Sequence, residues 1–276
     1  MTFPRSRSRT ARWLRWSLCC ALLAGGACAA KKGGIPAGTS EPDKFLFEKG
    51  SEALTGKKWL RAREYFRQIV DGYPQSPYRA EAKLGLGDTF LGEGTTQANI
   101  QAQSEFKEFL TFFPTHQRAD YAQFKLGMSH YKQMARPERD QTEARETVKE
   151  FDAFLERFPK SSLVTEVTTK RREAKDRLSE SDYRVGLFYF RSRWYPGAIE
   201  RFKGVLAVDP EFTNRDAVYY HLAESLVVLK RQAEALPYYE RLVTEFQQSE
   251  FLAQAQRRLG ELKSAQDTPP TKPVGR

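Results

Sequence analysis

Few side chains in this sequence are equipped for chemistry. The three cysteines, Cys19, Cys20 and Cys28, all fall in the first thirty residues, and the body from Ala29 onward has none. Thiolate nucleophiles and thiolate metal sites are thereby excluded from the body. The three histidines, His116, His130 and His221, are scattered. His116 falls in a turn segment. His130 and His221 fall in helical segments, where each reads as a packing residue rather than a ligand. Glu64, Asp152 and Glu240 lie among Lys and Arg and read as solvated helix faces, not as a general acid and base. Gly85-Leu86-Gly87 lacks the preceding strand of a dinucleotide site, and there is no P-loop. Lys170-Arg171-Arg172 could touch phosphate but reads more simply as a charged helix face. The expectation is a binding protein: no enzyme, no cofactor and no metal.

Cys28 is the one residue with a chemical context. Residues 1–15 carry five arginines and no acid, and Trp16 to Ala30 is uncharged and apolar. That is the length of a signal-peptide apolar region and short of the ~20 residues that span a bilayer. Removing 1–27 halves the formal charge of +10, so a nucleic-acid reading loses most of its support. Cys28 follows LLAGGA, which resembles the lipobox of bacterial lipoproteins, with Gly25 where Leu is usual. That resemblance implies cleavage before Cys28 and acylation of its thiol. The alternative is ordinary cleavage at Ala27-Cys28-Ala29 without lipid. Residues 28–43 lack an apolar period and read as a flexible tether. Two acyl chains, at ~0.8 kcal/mol per buried methylene, would anchor such a chain stably.

The remaining elements must be helices. From Lys44 the apolar residues recur three and four apart, and no strict alternation is long enough for a strand. The segments come in pairs with a small residue in the first and Ala then an aromatic, four apart, in the second. Proline ends each pair. This is the tetratricopeptide spacing of about 34 residues. The frame is Gly50, Ala62, Phe66, Pro74; then Gly87, Ala102, Phe106, Pro114; then Gly127, Phe151, Pro159; then Gly186, Ala198, Phe202, Pro210; and last Ala223, Ala235, Tyr239, with Gln247 for proline. Copies two and three carry insertions. The expected fold is all-α, a solenoid of about five helix pairs over 44–264, wound as a right-handed superhelix with a concave groove. Residues 162–178 read as an extra or extended helix, 249–263 as a capping helix and 265–276 as a disordered tail. Phe188-Tyr189-Phe190 and Tyr219-Tyr220 suit either the core between repeats or a peptide groove.

Certain phrases go beyond the repeat. They are YPQSPY (73–78), FPTH (113–116) with DYAQFKLG (120–127), Arg139-Asp140 with Ala144-Arg145, and YRVGLFYFRSRWYPGAIERF (183–202). Together they resemble the BamD family of lipoproteins of the β-barrel assembly machinery, over residues 44–262. The resemblance implies a lipid anchor on the periplasmic face of the outer membrane and no nucleic-acid partner. It implies docking on the POTRA domains of the barrel protein BamA, contact with other lipoproteins of the machinery, and reception of unfolded outer-membrane proteins. By placement, substrate contacts are expected at Tyr78, Arg79, Tyr121 and Phe124, and the partner dock at Arg193, Arg201 and Arg215. A second reading is a generic periplasmic tetratricopeptide adaptor for cell-wall or division machinery. A third, a peptidoglycan-acting enzyme, needs a cleft domain for which the repeats leave no room.

Overall fold

The computed structural model describes residues 35–267. The chain divides into two units, Met1–Pro42 and Asp43–Arg276. In the first, residues 35–41 form no helix or strand, and Thr39 closes a turn on the Pro36 carbonyl through its N–H (3.2 Å) and hydroxyl (2.7 Å). The expected leader, Cys28 and residues 268–276 lie outside the described residues.

The described residues form eleven helices and no strand. They are α1 (Pro42–Thr55), α2 (Trp59–Gly72), α3 (Arg79–Glu93), α4 (Thr96–Phe112), α5 (Ala119–Tyr131), α6 (Thr142–Arg157), α7 (Val164–Arg191), α8 (Tyr195–Val208), α9 (Arg215–Val228), α10 (Gln232–Glu245) and α11 (Leu252–Asp267). Successive helices pack on one another from α2 to α11. This is the expected solenoid: five pairs, with α11 over the last. The extended helix of the fourth pair is α7, 28 residues long. Helix α11 passes the expected end at 264, because the first breaker in the sequence is Pro269.

One packing device recurs. Phe66, Phe106, Phe151 and Phe202 are buried at corresponding places in four second helices, and Tyr239 in the fifth. Each phenylalanine lies on a glycine of its own first helix. A Cβ built on Gly50, Gly87 or Gly186 would stand 2.5–2.6 Å from the ring, and Gly127 meets Phe151 in the same way. Thr147 replaces the expected alanine four residues before Phe151, and its buried hydroxyl donates to the Glu143 carbonyl (2.7 Å). Full burial of one such side chain contributes about 1.5–3 kcal/mol.

The turn between pairs is also repeated. Tyr73, Phe113 and Phe158 end α2, α4 and α6 just before proline, and the N–H three residues on donates back to each carbonyl at 3.0–3.1 Å. Ser76, Ser161 and Ser249 then accept, on Oγ, the N–H two residues ahead at 3.1–3.2 Å. His116 does the same with Nδ1 toward the Arg118 N–H (3.1 Å). That accounts for the turn histidine without a ligand.

Within pairs, the seventh residue after the small one adopts positive φ: Lys57 (55°), Gly94 (74°), Arg193 (61°) and Lys230 (62°). Left-handed backbone costs a non-glycine residue ~1–2 kcal/mol, while glycine gives back ~0.4–1 kcal/mol through the unfolded chain. Lys57→Gly and Lys230→Gly should therefore be neutral or stabilising by up to ~1 kcal/mol in urea unfolding. Gly94→Ala should lose ~1 kcal/mol. The opposite order would show that these turns are not left-handed in solution.

Candidate interaction surfaces

The amino-terminal candidates are held by α3 and α5. Tyr78 stands at the start of α3, half-buried, with its ring stacked on Phe47 of α1 at 5.0 Å. Arg79 donates from Nε to the Val70 carbonyl of α2 (3.3 Å). Tyr121, in the first turn of α5, donates its hydroxyl to Asp88 Oδ2 of α3 (2.8 Å). The Arg118 guanidinium lies 4.2 Å from the Tyr121 ring centroid and Lys125 Nζ lies 5.1 Å away. Burial and the Asp88 carboxylate push the Tyr121 phenol well up, so it donates at any physiological pH. Phe124 is a correction to the expected set. It is 7% exposed and stacked on Phe151, in a cluster with Phe154 and Val167. The helical period puts it on the inner face of α5, so its ring meets the core and not a ligand.

Two of the three carboxy-terminal candidates lie in or near the α7–α8 turn. Arg193 and Arg201 are exposed. Arg201 lines a cleft of about 470 Å³ with Tyr189, Trp194, Pro196, Gly197 and Glu200. Trp194 is 54% exposed and meets Tyr189 edge-on at 4.8 Å. Phe188 is 65% exposed beside Tyr189. Arg215 is apart from them at the start of α9. It donates to the Phe212 carbonyl (2.8 Å) and covers the Phe246 ring at 5.3 Å. The structure therefore leaves Arg193 exposed in the α7–α8 turn and Arg201 on the cleft beside it, with Arg215 packed at another turn.

All of the tandem aromatics but Phe188 pack in or against the core between repeats. Phe190 presents its ring to His221 at 5.1 Å, Tyr219 is buried, and Tyr220 stacks on Phe251 at 4.7 Å. Phe188 faces outward. His221 is enclosed by Tyr183, Phe190, Phe202, Tyr220 and Phe251. Burial there pushes its imidazole below the ordinary value. A cleft that the sequence did not disclose lies at the α1–α2 turn. It has about 580 Å³ and is lined by Lys58, Trp59, Leu60, Arg61, Arg63 and Glu93. Leu60 is 73% exposed there. The signal was available: Trp59-Leu60 opens α2 ahead of its buried face at Ala62, Phe66 and Ile69.

These surfaces offer aromatic faces edged by guanidinium groups. Side-chain stacking, cation–π contact and bidentate pairing with carboxylate are the interactions such groups can make with a peptide. Among the described residues no helix is long and apolar enough to cross a membrane.

The family model described as outer membrane lipoprotein, YfiO, matches residues 39–228, and a tetratricopeptide repeat model matches 217–249. The outer membrane protein assembly factor BamD of Caulobacter vibrioides is 23% identical over 219 residues, 79% of this chain and 70% of the relative. That of Vibrio cholerae is 24% identical over 170 residues, 58% of this chain and 69% of the relative. That of Neisseria gonorrhoeae is 22% identical over 171 residues, 58% and 63% respectively. Among solved structures, the TPR2AB domain of yeast Sti1 with a pHSP90 partner is 11% identical. It has a TM-score of 0.43 and covers 82% of this chain and 100% of that one. MamA protein is 15% identical with a TM-score of 0.34, over 85% and 100%.

Proposed function

Because this chain belongs to the outer membrane lipoprotein family, we propose that it is an assembly factor for outer-membrane proteins: a non-enzymatic scaffold, anchored by lipid at Cys28 on the periplasmic face. The observation that carries this reading is the family match from residue 39 to 228, which spans α1 to α9. The relatives' names as BamD support the same role. In this reading the α7–α8 surface, with Arg193, Arg201, Trp194 and Phe188, docks a folded partner of the BamA type through its POTRA domains. Arg215 contributes by fixing the turn that precedes α9. The amino-terminal surface receives unfolded barrel proteins through Tyr78, Arg79 and Tyr121. Other lipoproteins of the machinery complete the assembly.

The test is a pull-down of tagged full-length chain from envelopes in mild detergent. A POTRA-containing barrel protein is expected among the recovered partners. Its recovery should fall at least tenfold with the pair Arg193→Gly and Arg201→Glu, since loss of two interfacial charges costs several kcal/mol. Arg193→Gly suits the left-handed turn, so folding is retained. Recovery of division or cell-wall proteins alone would replace this reading with that of an adaptor.

A further inference from the structure

His130, near the end of α5, has only 6% of its side chain exposed. Its Nδ1 lies 2.8 Å from Glu143 Oε2 and 3.3 Å from Gln103 Nε2. Its Nε2 is buried and has no hydrogen-bond partner. A buried ring nitrogen without a partner is costly, and native structures seldom leave one. Two further carboxylates approach the same ring. Ligand atoms of His130, Glu146 and Glu150 lie within 4.8 Å of one another. Glu146 and Glu150 are four residues apart on α6 and so share a face. Glu146 pairs with Lys149 at 3.1 Å, and Glu150 Oε2 accepts from Gln123 Nε2 at 2.7 Å. Each bond uses part of a carboxylate that can accept at both oxygens.

We propose that His130 Nε2, Glu146 and Glu150 bind a divalent transition-metal ion of the Zn²⁺ class. One imidazole with two carboxylates is a donor set such ions accept. Glu143 on Nδ1 supplies the outer carboxylate that fixes the tautomer and leaves the Nε2 lone pair free for the metal. Bonds of ~2.0–2.2 Å would draw the three ligand atoms to about 3.3 Å apart, within reach of a glutamate rotamer change. Water completes the shell. The bound ion ties α5 to α6 where the long insertion at 132–141 separates them, so its effect is on the stability of the third pair. No local spacing discloses such a site, because the ligands are split by that insertion and match no metal motif.

Zn²⁺ titrated into the full-length chain in mild detergent should raise the melting temperature of the helical fold. The variant pair Glu146→Gln and Glu150→Gln, which keeps side-chain volume, should lose that rise. Glu143→Gln should weaken Zn²⁺ about 10–100-fold without abolishing it. Co²⁺ bound in the same site should give visible bands without sulfur-to-metal charge transfer, which separates it from the cysteines of the first thirty residues. An unchanged melting temperature at saturating Zn²⁺ overturns the proposal, as does a full rise in the paired variant. The His130 ring-nitrogen resonance of the unmodified chain gives an independent readout: it must move with Zn²⁺, and a stationary one means that Nε2 binds no metal.

Discussion

Phe66→Ala should destabilise the fold by about 3–5 kcal/mol in urea unfolding. The side chain is 1% exposed. What sets the size of the effect is that two helices close on one ring. Gly50 of α1 approaches one edge and Gly85 of α3 another, and a Cβ on either would stand 2.5–2.6 Å from a ring carbon. Neither backbone can collapse into the space without breaking the contacts of its own helix, so the cavity stays. The reverse change makes the same point. Gly85→Ala should cost about 1–3 kcal/mol, because a ring held on both sides cannot turn away from the new methyl. In Phe66→Ala the methyl has room, so the double variant should be more stable than the sum of the two singles by about 0.5–3 kcal/mol. Additive effects would mean that the ring is not shared between the first and second pairs. The same pairing at Gly127 with Phe151 and Gly186 with Phe202 extends the expectation along the chain.

How far this was legible in the sequence depends on the range of the interaction. Gly50 with Phe66 sits within one repeat, and the repeated spacing exposes it. Gly85 does not belong to that frame. It packs across the junction from the next repeat, and only three-dimensional stacking reveals its role. Phe124 departs from its expected place for a related reason. Its sequence context is aromatic and polar, but the turn of α5 that leaves Tyr121 half-buried carries Phe124 fully into the core. Arg193 and Arg201 could be placed near the α7–α8 connection because one lies in that short turn and the other in the second turn of α8. Arg215 could not be separated from them, since the carbonyl that holds it follows α8 by several residues of irregular chain. The His130 site depends on two helices divided by an insertion, which no local spacing encodes.

Arg172→Ala should be the second large loss, about 3 kcal/mol or more at neutral pH, and it tests what the Lys-Arg-Arg run does. All three residues are tied within the fold. Lys170 pairs with Glu173 at 3.1 Å and Arg171 with Asp152. Arg172 donates from Nη1 to Asp209 Oδ1 at 3.0 Å and from Nη2 to Oδ2, and it also reaches Asp176 at 3.0 Å. Asp209 is 7% exposed and also accepts from Ser179 Oγ at 2.6 Å. Asp176 in turn accepts the Thr213 N–H (2.9 Å) and hydroxyl (2.7 Å). The amino-terminal half of α7 is thus clamped to the turn after α8. Removing the guanidinium leaves a buried carboxylate with only the Ser179 hydroxyl and the Glu211 backbone N–H as partners, and an uncompensated buried charge costs about 3–5 kcal/mol. The pH dependence carries the sign. Burial alone would raise the Asp209 carboxyl, but the bonds to Arg172 and Ser179 outweigh it and hold the carboxyl below its ordinary value. Its contribution is therefore complete above the unfolded value of about 3.9 and is lost as pH falls through the lower folded value. Without Arg172, burial is opposed only by the Ser179 and Glu211 bonds, so the folded carboxyl is held down less than in the parent. The gap between variant and parent should then narrow on acidification. Asp209→Asn in the Arg172→Ala background should recover part of the loss, because it removes the stranded charge. A gap that stays constant with pH, or an asparagine that recovers nothing, would place Arg172 on a solvated face after all.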